Sequence, residues 1–234
     1  MISLMHRTIA TMLTIATTAM LAAGCGGGSS AGSATAPITK AQATAYAKAV
    51  NLKPADLPGT SVQSPEGGAP AGPLRGEAAR CAGAVNPDLA VAKIRSANFS
   101  GAAHELIRST VIVWPTVALA TRNQAVGRSQ RALLCAQRLI SREFAQRIGM
   151  KFHVGQVRVS RLAPLPVVPG SVGIRIKTSI LGAHTGSDYV DAVAFVYGRS
   201  IITLYATGIL RPVPEATERR LLSLLYSRAE AHKL

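Results

Sequence analysis

Val172, Ile174, Ile176, Thr178 and Ile180 alternate with Gly173, Arg175, Lys177 and Ser179. A period of two is that of a β-strand with one dry and one wet face. Tyr189–Tyr197 and Ser200–Thr207 follow, apolar on both faces, and predict more central strands. His184-Thr185-Gly186 and Gly198-Arg199 mark the turns between them. Strands joined by so few residues must run antiparallel, because a parallel pair needs a crossover of a dozen residues or more. Phe152–Leu162 adds another strand. Its apolar set jumps from Phe152 and Val154 to Val157 and Val159, which predicts a β-bulge at Gly155. Pro212 and Pro214 stop the last strand. Glu215–His232 then reads as an amphipathic helix with Leu221, Leu222, Leu225 and Ala229 inward. Glu215 and Glu218 sit in its first turn, where the helix dipole favours acids.

Upstream, Thr39–Val50 reads as a short helix with Thr39 as N-cap, broken at Asn51–Gly59. Pro54–Pro73 holds five prolines and four glycines in 20 residues and predicts a loop. Leu74–Val85 reads as a short helix carrying Cys81. Val91–Phe99 and Leu106–Trp114 read as strands. Thr116–Ile148 reads as helix, broken near Gly127, with Leu133, Ala136, Ile140, Phe144 and Ile148 as its buried stripe. The expected fold class is α+β: an antiparallel sheet of about six strands packed with three or four helices. Residues 40–234 are expected to form a single domain, with no internal repeat.

The chain has 234 residues, 26 bases against 11 acids, 48% apolar residues and 4% aromatics. It is too apolar for a disordered chain and too interrupted by charge for a multi-span membrane protein. Three cysteines are too few for a disulfide-dense mini-scaffold.

The N-terminus reads as a targeting segment. His6 and Arg7 precede 16 uncharged residues, Thr8–Ala23, which is short for a spanning helix and suits a signal-peptide core. It ends in Leu21-Ala22-Ala23-Gly24-Cys25, which resembles the lipobox of bacterial lipoproteins. That resemblance implies cleavage between Gly24 and Cys25 and diacylglyceryl transfer to the Cys25 thiol. Ala22 stands where leucine is commonest in such a box. Residues 1–24 are then a lipoprotein signal peptide and 25–39 a tether. Gly26-Gly27-Gly28-Ser29-Ser30-Ala31-Gly32-Ser33 predicts flexibility, and the 14 residues from Gly26 to Thr39 reach ~20 Å r.m.s.. The expected location is the outer face of the bacterial cell membrane, with the membrane itself as partner through the acyl chains on Cys25.

With Cys25 acylated, Cys81 and Cys135 remain, an even pair in an oxidising compartment. A disulfide between them would add ~3–4 kcal/mol by the chain-entropy estimate; the alternative is two independent buried thiols.

Catalytic motifs are missing. No Gly-x-Ser-x-Gly, P-loop or Gly-x-Gly-x-x-Gly after a strand occurs. His104-Glu105-Leu106-Ile107-Arg108 begins like a zinc motif, but its fifth residue is Arg. His104, His153 and His184 show no ligand spacing, so neither a metal site nor a cofactor is expected. Asp188 and Asp191, three apart on a strand, fall on opposite faces and make a poor catalytic dyad; they read as a turn Asp and a strand-edge Asp. Trp114, the one tryptophan, reads as a core or rim residue.

Between Arg122 and Arg161 there are nine bases and one acid, Glu143. Arg128, Arg131, Arg138 and Arg142 step by 3, 7 and 4 and share a helix face, with Cys135 in the same strip. Such a face attracts polyanions: anionic wall polymers, anionic headgroups or acidic proteins. The alternative is a solvated arginine-rich face. Nucleic acid is not expected as a partner, since the chain reads as exported and lacks aromatic-basic interleaving.

Asn51-Leu52-Lys53-Pro54-Ala55-Asp56-Leu57-Pro58, Phe195-Val196-Tyr197-Gly198-Arg199 and Ala216-Thr217-Glu218-Arg219-Arg220-Leu221-Leu222 sit in a layout of lipobox, early helix, Cys pair, hairpin strands and last helix. The layout resembles actinobacterial lipoproteins and kinase ectodomains of the PknH-like sensor type, and the broader PsbP-like α/β/α sandwich. The PknH-like domain has two disulfides where this chain can form one. The resemblance implies a ligand-binding or sensor-like module without catalytic activity, and transfers no site residue. A cleft between the sheet and the Arg122–Ile148 helix is expected. Two other readings stand beside it: an envelope protein binding polyanions with its basic face, and a hydrolase gathering His153 or His184 with Ser and Asp.

Overall fold

The computed structural model describes residues 37–63, 73–102, 105–148, 153–163, 167–181 and 186–234. The signal peptide, Cys25 and nearly all of the tether lie outside the described residues, as do His104 and His184. Pro37–Leu234 form one compact unit.

Among the described residues, five α-helices and eight strands follow in this order: α1 (Lys40–Val50), β1 (Ser61–Gln63), α2 (Pro73–Ala82), β2 (Ala92–Arg95), β3 (Asn98–Ser100), β4 (Leu106–Val113), α3 (Val117–Gly127), α4 (Gln130–Ile148), β5 (His153–Leu162), β6 (Val172–Leu181), β7 (Gly186–Tyr197), β8 (Ser200–Ile209) and α5 (Glu215–Ala231). The strands form one sheet in the order β1-β3-β4-β8-β7-β6-β5, with β2 also on β4, and neighbouring strands run antiparallel. The α+β class is as expected, with more strands and helices than expected.

Two differences in strand count have local causes. The Pro54–Pro73 stretch contains a short strand, β1, on the sheet's outer edge. The expected single strand Val91–Phe99 is divided into β2 and β3 at Ser96. Arg95 faces Thr110 while Phe99 faces Ile107, so one extra residue is accommodated between them. The Ser96 hydroxyl takes up the slack, accepting from Ser109 N at 2.9 Å and donating to Ala97 O at 2.8 Å.

Register sorts the sheet into two faces. Ile107, Ser109, Val111, Ile202, Leu204, Ala206, Asp191, Val193 and Phe195 share one, because cross-strand partners point the same way. That face is fully buried under α1 and α5. Tyr46 of α1 hydrogen-bonds Ser200 at 2.9 Å, and the Tyr226 ring of α5 meets those of Phe195 and Tyr197 at 5.7 and 5.8 Å. Leu221, Leu222, Leu225 and Ala229 of α5 are buried here, as their spacing predicts. The other face of β7 and β8 is half-buried rather than dry.

α1 is started by a capping box: Gln42 N donates to the Thr39 hydroxyl at 3.2 Å and Thr39 N donates to Gln42 Oε1 at 3.0 Å. α5 is tied to the segment after α1. Arg228 holds both oxygens of Asp56 at 2.7 Å and donates to Asn51 O at 3.0 Å.

The stripe of α4 is placed differently from expectation. Cys135 and Leu139 are buried, while Leu133, Ala136 and Ile140 are half-buried; the Phe144 and Ile148 side chains lie outside the described residues. The axis turns because α4 is pulled in from two sides, by a disulfide through Cys135 and by the edge of β5. There the Gln137 side-chain amide donates to Val157 O and accepts from Val159 N at 2.6 Å. A glutamine thus fills the place of a ninth strand, beside the bulge that the sequence predicts and that the register shift between Val154 and Val157 locates.

Candidate functional site

Two places gather charge. The first is the contact between α2 and α4. The Cys81 and Cys135 sulfurs are bonded, with Cα atoms 5.9 Å apart, closing a loop of 54 residues. Around this link the four arginines of the predicted basic face part ways. Arg128 donates to Gly170 O, in the β5–β6 connection. Arg131 donates from Nε to Cys81 O at 2.7 Å, satisfying a carbonyl at the end of α2. Arg142 pairs with Glu77 of α2 at 2.5 Å. Arg138 lines a surface cavity of about 530 Å³ with Arg131, Cys81 and Leu134.

A carbonyl partner fixes a guanidinium without neutralising it. Arg131 and Arg138 form no ion pair among the described residues. Glu77 feels Arg142 first, then Arg80 and Arg138, and these hold its carboxyl below the usual range. Among the described residues Glu77 thus answers Arg80, Arg138 and Arg142, while Arg131 is held by a neutral carbonyl. Leu134, three residues after Arg131 and four before Arg138, lies between them on the helix and is 58% exposed.

The cleft expected between the sheet and this helix is not where the described cavity lies. α4 is closed onto β5 by Gln137, with Leu139 and Val157 both buried. The cavity lies beside Cys81 of α2.

The second place lies under α5. Asp191 was expected as a strand-edge residue; instead it is 1% exposed in the middle of β7. β7 is an interior strand of the sheet, and α5 covers this face of it. Arg175, its register partner on β6, grips both carboxylate oxygens at 2.7 and 2.6 Å. Glu218 of α5, 4% exposed, comes down on the same pair. Burial first, and then Asp191 by its charge and by accepting a hydrogen bond, push the Glu218 carboxyl up to about 8; Arg175 opposes the shift. Its Oε1 has no hydrogen-bond partner. Two buried carboxyls thus share one guanidinium, and Glu218 keeps its proton at neutral pH.

Asp188 lies on the opposite sheet face, as the three-residue spacing predicts, and burial raises its carboxyl. The two aspartates form no dyad. Trp114 is buried, 3% exposed, with Nε1 unpartnered. Among the described residues no group of three or more His, Cys, Asp or Glu could hold a metal ion, and no helix is long and apolar enough to cross a membrane. The His153 side chain and all of His184 lie outside the described residues, so the hydrolase cluster does too.

The Glu218 cluster was missed in the sequence, yet a signal was there. Glu218 precedes Leu221, Leu222, Leu225 and Ala229 at steps of three and four, so it lies on the dry stripe of α5.

No family model and no curated protein matches this chain. Among solved structures it is similar to the extracellular domain of PknH from Mycobacterium tuberculosis, with 10% identity and a TM-score of 0.39, over 83% of this chain and 98% of that one. At that level the likeness transfers no site residue and no activity.

Proposed function

We propose that the chain is a lipid-anchored extracytoplasmic binding domain, without catalytic activity, whose α2–α4 face takes an anionic ligand. The observation that carries this is the charge there: among the described residues Arg131 and Arg138 have no ion pair, Arg131 being fixed by a neutral carbonyl, and Glu77 faces Arg80, Arg138 and Arg142. The Cys81–Cys135 link holds the two helices together, so the charges are positioned before any ligand arrives. It also suits an oxidising compartment, in line with the lipobox at Cys25. The cavity beside the link gives an anion a place to sit.

Two experiments test the reading. Cys25→Ser should release the protein into the culture medium; retention on the membrane with an uncleaved signal would refute the anchor. Binding of the released protein to an anionic wall polymer should fall steeply with salt. Charge reversal by Arg138→Glu should weaken it. Binding that ignores both salt and this substitution would refute the ligand class.

A further inference from the structure

We propose that the partner of the α2–α4 face is the anionic surface of the membrane that holds the chain's own anchor. Arg131 and Arg138 meet headgroup phosphates, and Leu134 enters the apolar boundary between them. The inference rests on the anchored, anion-binding reading above and names the occupant of that site.

Three observations converge on this partner. Arg131, Leu134 and Arg138 form one ridge on α4, since steps of three and four return to the same side of a helix. The ridge is about 10 Å long at 1.5 Å per residue. A soluble polyanion accounts for the arginines but gives an exposed leucine nothing to bury against. A headgroup layer accounts for both, because arginines remain at the phosphates while an apolar side chain goes deeper.

The surrounding charge has the same sign. Arg80 and Arg142 lie beside the ridge, and Glu77 is the carboxylate set against them among the described residues. Anionic headgroups complement this excess, whereas a zwitterionic surface does not.

Length favours the same partner. Eleven residues, Gly26–Ala36, separate Cys25 from the folded unit that starts at Pro37. Even fully extended they span at most ~40 Å. An anchored chain therefore meets its leaflet at high effective concentration, and a face of a few charges is enough to orient it.

The test uses the mature chain carrying Cys25→Ser, so that no acyl chain contributes. It is mixed with phosphatidylcholine vesicles, with vesicles containing a third phosphatidylglycerol, and separately with soluble polyphosphate. Partition onto the anionic vesicles is expected to exceed that onto neutral ones at least tenfold at low salt. Arg131→Gln with Arg138→Gln should weaken it about 25-fold, roughly fivefold per arginine for a base near an anionic leaflet. Leu134→Ser is exposed and leaves the fold intact. It should weaken vesicle binding severalfold, by clearly more than it changes polyphosphate binding, because only the bilayer offers the leucine an apolar boundary. Because Arg131 also caps α2, Arg138→Gln alone serves as the second variant, with about a fivefold loss expected.

Polyphosphate bound without vesicle binding would overturn the membrane as partner and leave the anion-binding reading standing. Vesicle binding that is indifferent to Leu134→Ser or to the arginine variants would also overturn it. Binding to neither probe would overturn both readings.

Discussion

Glu218→Gln is the substitution that tests the buried chemistry most directly. An ordinary glutamic acid titrates near 4.5, and this one is raised to about 8. The folded state therefore holds the proton more tightly than the unfolded chain does. The resulting stability is fully present below pH 4.5. It is lost as pH rises through the window between 4.5 and 8, because the unfolded chain can ionise there and the folded one cannot. At ~1.4 kcal/mol per pH unit, the window amounts to on the order of 5 kcal/mol. A domain of this size shifts its Tm by ~2–4 °C per kcal/mol, so ~10–20 °C hangs on one proton. Glutamine keeps the shape and donates a hydrogen bond toward Asp191, yet has no proton to lose. Thermal unfolding followed by circular dichroism at half-unit steps from pH 5 to 9 reads the effect. The parent curve should slope downward above pH 5.5. The variant should be flat from pH 6 to 8 and more stable than the parent at pH 8.5. A variant with the parent's slope, or one less stable than the parent at pH 8.5, would refute the assignment of the proton to Glu218.

Three further outcomes follow from the structure. Replacing Cys81 and Cys135 together by Ser opens a loop of 54 residues; the midpoint in urea should fall by the equivalent of ~4 kcal/mol on the chain-entropy estimate. Asp56→Asn leaves Arg228 half-buried without its partner, costing ~2–3 kcal/mol at pH 7 by equilibrium denaturation. Burial works to raise the Asp56 carboxyl, and the Arg228 and Lys53 contacts outweigh it and hold it low. The stability from that pair is thus present above pH 4 and lost as pH falls through the lowered value, so parent and variant should converge in acid. Gln137→Ala uncovers the outer groups of Val157 and Val159; light scattering should show concentration-dependent association that the parent lacks.

Where the chain's physics is local, the fold was legible. β6 to β8 and α5 follow from alternation, turn residues and a leucine stripe, all within a few residues of one another. The bulge in β5 was visible because one extra residue breaks a period of two. The break between β2 and β3 was not, since it depends on the register that β4 imposes from across the sheet. The rotated stripe of α4 escaped for the same reason: the disulfide and the β5 edge decide which side faces inward. The basic face was legible as a charge pattern. Its division into Arg128, held by Gly170, and Arg131, Arg138 and Arg142, facing α2, required the position of a helix 50 residues away. Asp191 and Glu218 illustrate the remaining gap. Each has an ordinary reading alone, as a strand acid and as a helix-dipole acid. Only the closure of α5 over β7 makes them neighbours.

The ladder between β4 and β8 sets the order in which such a chain can fold. Its partners run from Leu106 with Thr207 to Val113 with Ser200, so they lie roughly 90–100 residues apart and must pay for closing a long loop before they gain anything. The hairpins from β5 to β8 can form as they are made, and β2 and β3 can pair with β4, but β4 has no inner neighbour until β8 exists. A chain made N-terminus first therefore presents half a sheet to its surroundings until nearly its last 30 residues have arrived. Removing residues beyond Ile209 strips α5 from a finished sheet, whereas stopping the chain before Ser200 leaves β4 with an open edge. Folding rate, more than final stability, is then the quantity most exposed to change in β8.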